Sequence, residues 1–450
     1  MPRQPYLTAP IKTDKMPPGV PYIVGNEAAE RFSYYGLRAI LMIYMTQYLL
    51  DASGNKAPMD DIEATRAFHI FQFAVYFFPV LGAIISDAWL GKYKTIIIVS
   101  LIYCLGPLAL ALDQTRLGLY AGLWLIAIGS GGIKPCVSAH VGDQFGSSNQ
   151  HLLSRVFGWF YFSINFGAFF STLLTPVLLD RYGPRLAFGV PAVLMFLATL
   201  VFWMGRYKFI HIPPAGMGFV RETFSKEGWK TIARLLPVFG FMPVFWSLYD
   251  QSSSRWILQA QQMDRYFPMF DWEILPSQTH AANPILVLIF IPLFTNVLYP
   301  AIDKVFKLTP LRKVGIGFFI TVAAFFVSSW IEVMIGRGMK PHILWQLVAY
   351  ILLTAAEVLV YLTMLEFAYT QAPRRMKSLI MSISLLSISV GNLLTAAINH
   401  AIKVFNLQAT LTGATYYLMF AGMMFVAAVL FIFVAQRYRE QTFLHEEAPA

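Results

Sequence analysis

Apolar residues along this chain come in long blocks separated by short polar turns. Windows of about 20 mostly apolar residues recur about 12 times, near 20–50, 63–88, 93–113, 116–139, 153–179, 186–206, 231–260, 280–306, 311–336, 341–369, 375–402 and 412–436. Each is long enough to cross a bilayer as a helix, which satisfies its own backbone polar groups where no water is available. The ten-residue alternation of barrel strands is absent. An all-α integral membrane protein with 12 transmembrane helices is therefore expected.

The longest polar connection, "RYKFIHIPPAGMGFVRETFSKEGWK" at 206–230, divides the windows six and six. This predicts an N-terminal tail at 1–19, a six-helix bundle at 20–206, a linker at 207–230, a second six-helix bundle at 231–436 and a tail at 437–450. Two such halves suit transport by alternating access. Between the seventh and eighth windows, "QQMDRYFPMFDWEILPSQTH" reads as an interfacial loop, since Trp and Tyr favour the headgroup level. A lid over an entrance is the second reading.

Composition agrees with the pattern: 57% of the 450 residues are hydrophobic and only 13% charged, against about 25% charged in soluble domains. The formal charge of +10 resides in juxtamembrane turns such as "LGKYKT", "LTPLRK" and "APRRMK". With both termini cytoplasmic, roughly 20 Lys and Arg fall inside and roughly 8 outside, which the positive-inside rule favours. Topology and anionic lipid contact thus explain the charge, and no nucleic-acid partner is expected. Cys104 and Cys136 lie in apolar windows and are too few for a disulfide framework or a cysteine metal cluster. The first 19 residues lack the apolar core of a cleavable signal, so the first span is expected to start insertion.

Charges inside the windows carry the functional signal. At 100° per residue, Glu27, Glu30, Arg31, Tyr34, Tyr35 and Arg38 fall within an arc of roughly 140°. An ionised group at mid-membrane costs about 2.5 to 3.5 kcal/mol, so this stripe must face partners or a watery cavity. Glu27 and Arg31 stand one helical turn apart and can pair. Further buried charges are Lys134, Arg234, Asp250, Arg255 and Glu357. Arg38 and Lys134 in one half and Glu357 in the other suit a zwitterion of several ångströms, such as a short peptide. The plainer alternative for Glu30, Arg31 and Lys134 is a structural ion-pair network between the first and fourth helices. Arg255, near a span end, is expected to snorkel. His69 is either a core histidine or a proton carrier, and its ordinary pKa near 6.5 suits the second role.

No catalytic set emerges, and neither a metal-ligand cluster nor a Walker loop is present. No enzyme activity and no cofactor are expected. Titratable groups within the spans favour protons as the coupling ion.

The residues also carry a family resemblance. "EAAERFSYYG" matches the ExxERFxYYG motif of the proton-coupled oligopeptide transporters, a branch of the major facilitator superfamily. "GSGGIKPCVSAHVGDQF" and "FYFSINFGAFFSTLLTP" resemble that family's fourth- and fifth-helix signatures, and "GAIISDAWLGKYK" resembles the superfamily turn in which Asp87 braces helix ends. "FWSLYDQSSSRWILQ" and "EVLVYLTMLEFAYTQAP" resemble the animal members more than many bacterial ones.

The resemblance implies a major facilitator fold and roles for particular residues. Glu27, Glu30 and Arg31 would couple protons in communication with Lys134, which also takes the substrate carboxylate together with Arg38. Tyr35, Tyr76 and Asn165 would line the peptide site, and Asn283 and Glu357 would receive the peptide amino group. Asp250 and His69 would carry protons, and Arg234 would gate. Thr295 stands where the family pairs an Asp with that arginine, and Ser384 where it has a pocket tryptophan. "GRGMKP" alone joins the ninth and tenth helices, in place of the large extracellular domain of animal members, which implies a bacterial inner-membrane version.

The expected function is proton-coupled import of di- and tripeptides. Import of another anion, such as nitrate or an amino-acid conjugate, is the nearest rival, and a receptor or scaffold with a vestigial path the next. Oligomeric state is not read from the sequence.

Overall fold

The computed structural model describes residues 6–10, 12–146, 148–149, 152–214, 216, 225–371 and 377–438. Part of the linker, most of the "APRRMK" turn and nearly all of the C-terminal tail lie outside the described residues.

Six helices follow the first six windows: α1 (Val20–Gln47), α2 (Asp61–Ile85), α3 (Lys92–Leu112), α4 (Arg116–Gly142), α5 (Leu153–Tyr182) and α6 (Pro184–Met204). The later windows hold α7 (Lys226–Phe239), α8 (Met242–Tyr249), α9 (Arg255–Gln261), α10 (Ala282–Leu293), α11 (Tyr299–Asp303), α12 (Pro310–Gly336), α13 (Leu344–Glu357), α14 (Thr363–Gln371), α15 (Lys377–Val404) and α16 (Ala414–Arg437). Among the described residues, 10 helices are long and apolar enough to cross a membrane, or 11 when the bent run Ile232–Phe239 with Met242–Gln261 is one span. The remaining long helix, α1, carries Glu27, Glu30, Arg31 and Arg38 within its 28 residues, which sets it apart from ordinary apolar spans.

Prolines at the starts of α1, α6 and α12 preset the helical φ where no backbone donor is needed. Thr115 and Thr309 cap α4 and α12 by accepting from the backbone N–H of Gly118 and Arg312 at 3.4 Å. The later spans are interrupted. Wider, π-helical turns at Phe294–Leu298 and Val358–Leu362 follow α10 and α13, shifting the face that each next residue presents. The seventh window is broken between α7 and α8 and again at a 3-10 turn, Asp250–Ser253.

The chain forms two compact units, Met1–Asp60 with Ala74–Arg221, and Asp61–Phe73 with Glu222–Ala450. The hydropathy pattern placed all of α2 in the first half, yet its first part belongs to the second unit. Side-chain chemistry explains this. Arg66 lies 2.9 Å from the His400 ring, His69 bonds to Asn392, and the Phe73 carbonyl accepts from Ser389 at 2.7 Å, all on α15.

Within the first unit, α3 and α4 approach backbone to backbone. A methyl at Gly129 would stand 2.7 Å from Tyr103 Cα, and one at Gly106 2.8 Å from the Gly122 carbonyl oxygen, so only small residues allow this contact. The N-terminal segment docks on the same unit rather than trailing free. Leu7 pairs with Ile210 in parallel, the His211 N–H donates to the Leu7 carbonyl at 2.7 Å, and Tyr6 stacks on the His211 ring at 4.2 Å. Burial pushes the His211 imidazole below its ordinary pKa.

In the second unit, the loop after α9 forms a small hairpin of β1 (Tyr266–Phe267) and β2 (Trp272–Glu273). Phe267 packs beside a cluster of Ala260, Met263, Ile331 and Ile343, while Met269 at the tip is 86% exposed.

Candidate functional site

In the first unit, the α1 stripe folds into a compact charge cluster. Arg31 Nε lies 2.6 Å from Glu27 Oε1 and 3.1 Å from Glu30 Oε2, so one guanidinium serves both acids. Glu27 and Glu30 are 1% and 0% exposed, and without that cation their burial would be prohibitive. Ser130 of α4 donates to the other Glu30 oxygen at 3.1 Å. One turn further along α4, Lys134 joins no ion pair with these acids. Its ammonium stands 4.3 Å from the Tyr34 ring centroid and 4.5 Å from that of Tyr76, between two π faces that attract a cation without neutralising it. Between the α1 acids and α4 the bond shown is that from Ser130, one turn before Lys134.

Tyr35 is half-buried, with its ring 5.3 Å from that of Tyr34. Arg38 is buried two turns beyond Arg31, and Asn165 is half-buried on α5. Asp143 receives Lys92 at 2.7 Å near the turn assigned to Asp87.

The second unit holds two further clusters, both built on amides. Asn392 Nδ2 donates to Asp250 Oδ2 at 2.6 Å, which turns Asn392 Oδ1 toward His69 Nδ1, also at 2.6 Å. An amide oxygen only accepts, so His69 Nδ1 carries the hydrogen. His69 Nε2 lies 3.1 Å from Ser254 Oγ, which donates to a neutral ring or accepts from a protonated one. Thus His69 can gain a proton without losing a partner. In the other cluster, Asn283 Nδ2 donates to Glu357 Oε2 at 2.8 Å and to Thr354 Oγ1 at 3.1 Å, and Tyr249 donates to Asn283 Oδ1 at 3.4 Å. Glu357 sits where α13 gives way to the Val358–Leu362 turn.

Two arginines have defined partners. Arg255 does not snorkel: it donates to Asn399 Oδ1 at 3.1 Å, and its guanidinium lies 4.4 Å from the Tyr416 ring centroid. Arg234 donates to the Gln371 carbonyl at 3.1 Å, while Thr295 is exposed. Ser384 is buried on α15. Sequence reasoning missed Ser130, Asn392, Ser254 and Thr354. Their one signal was a polar side chain inside an apolar window, as Asn392 is in "SISVGNLLT". Among the described residues, no three His, Cys, Asp or Glu side chains gather as metal ligands.

The geometry can be set beside known proteins. A family model described as the POT family matches residues 93–226 and 218–419. The chain belongs to the POT family. It is 38% identical over 365 residues to peptide transporter family 1 of Drosophila melanogaster, covering 70% of this chain and 48% of that protein. It is 37% identical over 373 residues to solute carrier family 15 member 2 of Homo sapiens, covering 71% and 50%. The chain spans about half the length of the curated relatives it matches. Among solved structures, the POT family transporter PepTSo is similar at 38% identity and a TM-score of 0.85, covering 94% of this chain and 99% of that one. An auto-inhibited POT family peptide transporter is similar at 35% identity, also with a TM-score of 0.85, covering 96% and 99%. The POT fold of multiple membrane helices is thus the fold of this chain, which places it among multi-pass membrane transporters of the major facilitator type.

Proposed function

We propose that the chain is a proton-coupled symporter that imports di- and tripeptides by alternating access. On this reading it lies in the inner, cytoplasmic membrane with both termini in the cytoplasm, and protons serve as the coupling ion without a cofactor. The observation that carries the substrate class is the 2.8 Å bond from Asn283 to Glu357. A neutral amide orients the carboxylate, an arrangement that suits a substrate amine. Arg38 and Lys134 carry the charge that a substrate carboxylate calls for, and an anion without an amine has no use for Glu357.

Proton coupling falls to groups whose partners tolerate a change of charge. His69 accepts a proton within the Asn392, Asp250 and Ser254 network. In the first unit, protonation of Glu27 or Glu30 still leaves Arg31 one anionic partner. Relatives bearing the name peptide transporter, 33–38% identical to the chain, support this assignment. Uptake of dialanine into proteoliposomes with imposed pH and voltage gradients tests it. Accumulation driven by an inward proton gradient is expected, and folded protein that equilibrates peptide without concentrating it would overturn symport.

A further inference from the structure

The break between α8 and α9 is made of buried serines that reach in different directions. Ser252, Ser253 and Ser254 are each 2% exposed or less, and Ser254 adopts φ −130° and ψ −88° before α9 begins. Tyr350 of α13 donates to the Ser252 carbonyl at 2.8 Å. Ser254 Oγ meets His69, as above. Ser253 Oγ lies 3.3 Å from Nδ1 and 3.1 Å from Nε2 of a second buried histidine, His280.

His280 is 4% exposed and belongs to the 3-10 turn Pro276–Ala281, which leads directly into α10. It stands three residues before Asn283, about one turn away and on a neighbouring face. Adjacent serines thus hold two histidines. Through Ser254 the break reaches His69, Asn392 and Asp250, and through Ser253 it reaches the turn that carries Asn283 to Glu357.

The charged groups on the surrounding elements are few. Asp250 lies on the broken turn, bonded to Asn392. Arg255 on α9 is engaged by Asn399 and Tyr416. Glu357 ends α13 and is the one charged residue of that helix, and α10 has none. The Tyr350 ring lies 6.3 Å from that of His280.

We propose that His280 is a positioning residue for the substrate amine: neutral, it anchors the turn that aims Asn283 and Glu357, and protonated, it sets a competing cation beside them. The proposal rests on the reading of Glu357 as the amine site. An imidazolium has only donors, so Ser253 must then accept and its own hydrogen must find another acceptor. The new positive charge also lies in the turn that leads into α10, three residues before Asn283. Protonation therefore weakens peptide binding, giving affinity an acid limb separate from the proton that drives transport.

The test is equilibrium binding of dialanine to purified protein without any gradient, from pH 7.5 to pH 5. The dissociation constant of the wild type should rise as pH falls, by up to about tenfold per unit where bound peptide and the proton exclude each other. H280Q keeps a polar side chain that cannot titrate and should flatten this rise. Ser253→Ala, with His280 intact, should weaken binding throughout while keeping the acid limb, and Ser253→Thr should restore the strength. An acid limb in folded H280Q as steep as in the wild type would overturn the proposal. E357Q separates this outcome from failure of the underlying reading. If E357Q binds dialanine as the wild type does, the amine site is wrong. If E357Q loses binding while H280Q keeps the wild-type slope, only the role of His280 is wrong.

Discussion

In the first unit Arg31 forms ion pairs with both Glu27 and Glu30, whereas in the second unit Asp250 and Glu357 are each held by an asparagine. The first arrangement cancels charge with charge. The second satisfies hydrogen bonds through a primary amide, which is itself neutral. Lys134 follows neither pattern: two aromatic faces hold it.

The contrast breaks most sharply at Arg31. Arg31→Ala strands two buried carboxylates, and a loss of about 3 to 5 kcal/mol is expected, seen as a collapse of the thermal transition of detergent-purified protein. Arg31→Lys should recover only part of it, because a point charge does not reproduce the guanidinium's fixed donors. Glu357→Gln should leave folding intact, since Asn283 can still donate to the oxygen of the new amide. Dialanine binding should nonetheless weaken by about 2 kcal/mol or more, a factor of about 30. Unaltered binding would put the amine elsewhere.

Asn392→Ala removes the bridge between His69 and Asp250 and should cost about 1 to 3 kcal/mol. Its clearer signature is functional, with proton-driven accumulation reduced more than gradient-free peptide exchange. Equal loss of both would make Asn392 merely structural. Smaller still, Tyr76→Leu deletes one face around Lys134 at a cost of about 0.5 to 2 kcal/mol, while Tyr76→Phe keeps it. Thermal shift of the two variants side by side reads the difference.

The mildest effect concerns His211. Its folded pKa lies below its unfolded one, so docking of the N-terminal segment is complete above the ordinary histidine value near 6.5 and weakens as pH falls from there. Protease cleavage near residue 10 should accelerate on acidification and lose this pH dependence in H211F, which retains a ring for Tyr6.

Some of this architecture was open to reading from the chain alone. The α1 stripe was legible because charges at helical spacing inside an apolar window admit few explanations. The spans were legible for the same reason, through their length. The break at Asp250–Ser253 was not, since hydropathy averages over a window and "SLYDQSSSRW" keeps an apolar mean on either side. Arg255 was misread because position near a span end says nothing about Asn399 and Tyr416, more than 100 residues away in sequence. The division of α2 was invisible, since its apolar pattern runs through Phe73 without change and the cause lies in α15. The roles of Tyr35, Asn165 and Arg234 rested on resemblance, since neither spacing nor charge pattern assigns them.

The glycine contact between α3 and α4 sets a limit on motion. With Gly106 against Gly122 and Gly129 against Tyr103, the helices mesh like the teeth of a ratchet, and sliding one past the other by a residue would drive side chains into backbone. In any rearrangement of this unit, the two helices are expected to travel as one rigid plank, with Ser130 and Lys134 fixed to it at a constant spacing. The acid on α1 and the cation on α4 therefore change their distance only when α1 itself shifts or tilts, which makes that first helix the moving pointer and the α3–α4 pair the scale it is read against.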